Sequence, residues 1–235
     1  MYKHIYVPVD NSDFSNRAID LAVELGKAFE SKLTGIHVYA ARLHDYRFKQ
    51  MEYTLPEEYK DENELERQRK IHDSLIAMGL QLISDSYLDV MGQKAEAAGL
   101  AFERKMIDGK HYKVLIEDTQ ASDYDLVVMG ALGMGAVKDS QLGSVTERYV
   151  RKIDRDTLVV RSADALKDQQ GAIVVCVDGS PQSFHELKIG IAMAKATGRP
   201  LQAIGVYDPF LHYAMFNGIV GVLNEKASKI FRFKE

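Results

Sequence analysis

The sequence predicts an α/β fold: an open, mainly parallel five-stranded sheet with helices on both faces, Rossmann-like in layout, followed by a partial second repeat. Three observations predict it. Short β-branched runs alternate with helix-period segments, the pattern of strand–helix–strand units and so of a parallel sheet covered on both sides. A glycine-rich loop follows one buried run, between Gly130 and Gly143. The opening of the chain also returns later, with Ile5 reappearing as Ile173.

Each element follows from its residues. Ile5 to Val9 are apolar and β-branched, and Asp10-Asn11-Ser12-Asp13 supplies four residues able to cap a helix. Ala18, Ile19, Ala22, Leu25, Gly26 and Phe29 then recur at helical spacing, and Leu33 to Tyr39 forms a second strand. The segment from Ala41 to Lys60 is polar, tyrosine-rich and without a clear period. From Glu62 to about Ala98 helix formers dominate, with Leu75, Met78, Ile83, Tyr87, Val90 and Met91 as a buried stripe. Gly79 and Gly92 weigh against a single helix there. The remaining order is strand Ala101–Ile107, helix His111–Gln120, strand Asp125–Met129, the glycine loop, helix Ser144–Lys152 and strand Thr157–Arg161.

This gives a domain over 1–163 that carries 41–98 as an extended helical insertion, a polar linker at 164–170, and an incomplete second repeat over 171–235. Without a gap, Ile173-Val-Val-Cys-Val-Asp178 falls on Ile5-Tyr-Val-Pro-Val-Asp10, Ser180 on Ser12, and Leu201 to Tyr207 on Leu33 to Tyr39. Roughly a third of the positions are identical, which marks a duplicated unit. The second copy ends before any glycine loop, so it is expected to pack on the first domain or on a second chain, the alternative being that the chain is a fragment of a longer tandem protein. Its tail includes the apolar run Met215 to Leu223.

Composition narrows the function. The chain has 235 residues, 46% apolar and 27% charged, with a net charge of −4, which argues against a nucleic-acid surface. Its one cysteine, Cys176, excludes an intramolecular disulfide, fits a reducing compartment and reads as a buried strand residue. No apolar run reaches the ~18–20 residues that span a bilayer, and the N-terminus lacks a signal-peptide core, so a cytoplasmic protein without membrane contact is expected. The seven histidines form no metal motif, and no G-x-S-x-G nucleophile turn occurs.

The candidate site is the loop after the Asp125–Met129 strand. Glycines at 130 and 133 let backbone N–H groups approach an anion or adopt positive φ, and Ser144 and Glu147 have the spacing of a capping box that would open a helix toward the loop. That combination suits a phosphate. Asp10 also has a second reading, as the cap of the first helix.

Gly130, two residues, Gly133, nine residues and Gly143-Ser144 form the pattern G-x2-G-x9-G-(S/T). With Pro8-Val-Asp10-Asn-Ser12, His37-Val38 and Leu158-Val-Val-Arg161, the chain resembles the universal stress protein family in its ATP-binding branch, as a tandem form with an incomplete second repeat. The resemblance implies an adenine-nucleotide α-hydrolase-like fold that binds ATP or AMP, with Mg²⁺ as an optional companion. By position, Asp10 would bond the ribose or adenine beside Pro8, and the Val38 backbone would meet the adenine edge. Met129 and Gly130 would lie under ribose and phosphates. Gly133, Gly143, Ser144 and Val145 would wrap the phosphates, with a hydroxyl from Thr146.

The resemblance also implies a homodimer through Thr157–Arg161 and a regulatory, stress-response role with at most weak ATP hydrolysis. The alternative is a scaffold of the same fold whose pocket the 41–98 insertion blocks. A PP-loop ligase would need S-G-G-x-D-S, where this chain has Asp10-Asn-Ser-Asp-Phe-Ser15.

Overall fold

Strand β1 (His4–Pro8) lies at the centre of a parallel sheet because its middle residues, Ile5, Tyr6 and Val7, are apolar toward both faces and fully buried. The computed structural model describes residues 1–137, 139–162 and 171–206, in two compact units, Met1–Lys167 and Asp168–Glu235. In the first unit β1 is followed by α1 (Asp13–Phe29), β2 (Lys32–Tyr39), α2 (Ala41–Glu52), a 3₁₀ turn at Glu57–Tyr59 and α3 (Glu62–Ala97). Then come β3 (Phe102–Asp108), α4 (His111–Gln120), β4 (Leu126–Gly130), α5 (Ser144–Val150) and β5 (Asp156–Val160). The five strands are parallel in the order β3-β2-β1-β4-β5.

Alternate residues of β2 sort the helices to the two faces. Ile36 and Val38 join Leu115 and Ile116 of α4 and Tyr149 of α5 in one core. His37 points the other way, to Ser84 of α3, and α3 is tied to α1 by Lys94 and Asp20 at 2.6 Å. The stripe expected on the first helix is the one that α1 buries, together with Ser15. Ser12 caps that helix, accepting the Ser15 amide at 3.2 Å. The reading of Asp10 as the cap is therefore corrected by two residues.

One segment finds its explanation, and one further expectation is corrected. The segment without a period holds α2, which buries none of its residues and so has no apolar stripe to show. It is held instead by polar contacts: Asp108 accepts the Ala41 amide at 2.8 Å, and Arg69 of α3 grips Glu52 through Nε and Nη2 at 2.9 and 2.6 Å. Glu62 to Ala97 is one unbroken helix despite Gly79 and Gly92. Its buried face is Ser84, Leu88, Met91 and Ala95, and its first half leaves Leu75 and Met78 exposed because it has no sheet beneath it.

The second unit contains β6 (Ile173–Cys176), α6 (Pro181–Thr197) and β7 (Leu201–Ile204). β6 and β7 pair in parallel with Ile173 opposite Leu201, the register of Ile5 opposite Leu33. Gly179 at φ 86° takes the place of Asn11 at φ 61°, and Ser180 donates its amide to Asp178 as Ser12 does to Asp10. Cys176 ends β6 but is exposed, contrary to expectation, because α6 covers the Val175 side of the strand and no described residue of this unit covers the other. The stretches 164–170 and 215–223 lie outside the described residues.

Candidate functional site

Pro8 shapes the site by what it lacks. The amide of Val9 donates to Ile36 of β2 at 2.8 Å, so the nitrogen of Pro8, one residue earlier, faces β4 and carries no hydrogen to give it. The β1–β4 ladder accordingly stops at Tyr6 opposite Val127, and the strands part toward their carboxyl ends. This is also where the strand order reverses direction, the place where open α/β sheets hold ligands. A cleft of about 760 Å³ opens there.

Asp10 binds the loop to the first helix. Its Oδ1 accepts the Ser12 amide at 3.0 Å and hydroxyl at 2.6 Å, and its Oδ2 accepts the Met134 amide at 3.1 Å. The approach depends on Gly133, where a Cβ would stand 2.4 Å from Asp10 Oδ2. At Gly130 a Cβ would strike Phe14 Cβ at 2.9 Å and the Ser15 nitrogen at 3.1 Å, so this glycine lets β4 meet the start of α1. Neither glycine has positive φ; close approach is what both supply.

The start of α5 differs from the expected capping box. Gly143 is the cap, its own amide donating to Ala131 at 2.8 Å and its carbonyl accepting from Glu147 at 2.9 Å. Ser144 is therefore the first helical residue, exposed, and the Glu147 side chain pairs with Arg151 at 3.0 Å. The helix is seven residues long, so any phosphate contact here would come from individual amides more than from a helix dipole. Thr146 is buried and gives its hydroxyl hydrogen to the Gly130 carbonyl at 2.8 Å, which braces the loop and leaves no donor hydrogen for a ligand.

The insertion walls the cleft without filling it. Leu80, Ile83 and Tyr87 of α3 and His44 of α2 line it opposite Asp10 and the glycine loop, with His37 and Val38 at the end of β2 and His111 at the start of α4. Burial, and then the neighbouring His111 charge, lower the pKa of His37, opposed by Asp10. All ten positions that the family resemblance marked, Pro8, Asp10, Val38, Met129, Gly130, Gly133, Gly143, Ser144, Val145 and Thr146, line this one cleft.

A model described as the universal stress protein family matches residues 1–161. The chain belongs to the universal stress protein family. Universal stress protein MJ0531 of Methanocaldococcus jannaschii is 27% identical over 161 residues, which are 68% of this chain and 83% of that protein. Putative universal stress protein SSP1056 of Staphylococcus saprophyticus is 29% identical over 171 residues, 72% and 89% of the two chains. A solved universal stress protein from Archaeoglobus fulgidus DSM 4304 superposes with a TM-score of 0.59 at 16% identity, over 93% of this chain and 73% of that one, a likeness of fold.

Within this universal stress protein fold, sequence reasoning missed the α3 wall. Ile83 and Tyr87 carry helix-period spacing, which reads equally as core, and nothing in the chain signals that they face a cleft. Among the described residues no helix is long and apolar enough to cross a membrane.

Proposed function

We propose that this universal stress protein holds an adenine nucleotide, ATP or AMP, in the β1–β4 cleft and acts as a nucleotide-dependent regulatory module. The observation that carries the reading is the Asp10–Met134 bond, which brings the end of β1 and the G-x2-G-x9-G-S loop together around an open cleft. Phosphates would meet the loop amides of Gly133, Ser144 and Val145. The ribose would lie near Asp10, whose carboxylate has acceptor capacity beyond its three present donors. The base would lie toward Val38 and the α3 wall. Among the described residues no cluster of three His, Cys, Asp or Glu is placed to hold a metal, so a Mg²⁺ ion would ride mainly on the phosphates.

The shared register and turn bonds of β1–β2 and β6–β7 support reading the chain from 171 onward as a second copy of the unit that opens it. The edge position of β5 in its sheet supports it as a dimer surface. Native mass spectrometry of the full chain, alone and with ATP and Mg²⁺, tests both the nucleotide and the dimer. An adenine-nucleotide mass on each chain is expected. A chain that stays bare at millimolar ATP overturns the nucleotide reading.

A further inference from the structure

His37 is set by α3. Its Nδ1 lies 2.7 Å from Ser84 Oγ, and the Tyr87 ring meets it edge-on at 5.1 Å between centroids. Ser84 Oγ in turn lies 2.7 Å from the Leu80 carbonyl. A hydroxyl has one hydrogen, and a carbonyl can only accept. That hydrogen therefore goes to Leu80, and Ser84 receives one from His37 Nδ1. In the neutral ring the lone pair then sits on Nε2, which has no hydrogen-bond partner among the described residues, on a ring that lines the cleft.

We infer that His37 Nε2 reads the base of the bound nucleotide, accepting a hydrogen bond from an exocyclic amino group and rejecting a keto oxygen in its place. The inference rests on the nucleotide reading above, with phosphates on the glycine loop and the base at the β2 end. The two ends of the cleft differ in the way this requires. One offers backbone amides, which suit an anion; the other sets Leu80, Ile83 and Tyr87 beside the His37 acceptor, which suits a flat heterocycle bearing a donor. A keto group there would set two acceptors against each other in a partly buried place, and an unmatched polar contact is costly.

The groups facing His37 are Ser84 and Tyr87 from α3, His111 from α4 and Asp10 after β1. Ser84 is thus a positioning residue, and through it α3 fixes which ring nitrogen of His37 keeps its hydrogen.

Inosine triphosphate differs from ATP by a keto oxygen in place of the amino group, with the hydrogen on the adjacent ring nitrogen. Calorimetric titration of the full chain with both at pH 7.5 tests the inference. ATP is expected to bind at least about tenfold more tightly. His37→Phe should bring the two affinities within about twofold of each other while triphosphate binding persists. Ser84→Ala should give an intermediate ratio, because the ring is retained but its tautomer is released. Equal affinities for the parent chain overturn the inference and leave the nucleotide site standing, whereas binding of neither overturns both. A His37→Phe chain that keeps the parent ratio also overturns it. Should that variant fail to fold, an unchanged ratio in Ser84→Ala does the same.

Discussion

The Asp10 carboxylate and the Met134 amide meet at 3.1 Å across a gap that the absence of a side chain at Gly133 leaves open. Two segments more than a hundred residues apart in sequence are thereby fixed at one end of the sheet. Gly133→Ala places a carbon 2.4 Å from Asp10 Oδ2, well inside contact distance, and Asp10, held through Ser12, has little room to yield. The loop is expected to move, with at least about tenfold loss of ATP affinity by calorimetry and a small change in Tm. Retention of parent affinity would show that the loop position does not matter to binding.

Gly143 sits with its Cβ direction 3.3 Å from the Ala131 carbonyl. A bulky residue there, such as Gly143→Leu, should abolish nucleotide binding while the circular dichroism spectrum stays that of the parent. The loop lies at the end of the sheet and outside its core, which is why the fold should persist. Parent-like binding by this variant would move the site elsewhere.

Thr146 separates bracing from ligand contact. Thr146→Val keeps the shape and removes the bond to the Gly130 carbonyl, which should cost about 1 kcal/mol in denaturant unfolding. ATP affinity should change less than about threefold. A large affinity loss with unchanged stability would instead place the hydroxyl on the phosphates.

His37 gives a pH dependence whose sign is fixed. Its pKa in the folded chain lies below the ordinary histidine value of 6.5, so the unfolded chain binds the proton more readily. Its contribution to stability is complete above about pH 6.5 and is lost as pH falls through the folded pKa. His37→Gln should flatten that part of a stability-against-pH curve. An unaltered acid limb would assign the loss to other groups.

Arg69 fastens α2 to α3 through Glu52 and also reaches Glu62 at 2.9 Å. Because α2 buries no residue, its place depends on such polar contacts and on the Phe48–His72 stack. Arg69→Ala should raise amide hydrogen exchange across 41–52 with little change in the β-strands. Unchanged exchange in α2 would give the stack the larger share.

Much of this architecture was legible because burial leaves a period. The α1 stripe from Ala18 to Phe29 and the run Val127–Met129 were readable for that reason, and the glycine spacing pointed to a loop that lines the cleft. What was illegible carries no period or a misleading one. α2 has no buried face, and α3 turns Ser84 inward while Leu75 and Met78 face outward, the reverse of what polarity suggests. The helix cap moved by one residue, from Ser144 to Gly143, because the Gly143 amide is drawn to Ala131, a tertiary contact that no local spacing encodes.

Pro8 finally bears on how fast a ligand comes and goes. Since the β1–β4 ladder ends at Tyr6, a molecule entering between the strand ends breaks no main-chain bond of the sheet and need not wait for a strand to peel away. Entry then requires movement only of side chains such as those of the α3 wall, which relax far faster than a sheet opens. On the proposed reading, the sheet itself then sets no limit on how quickly a nucleotide is taken up.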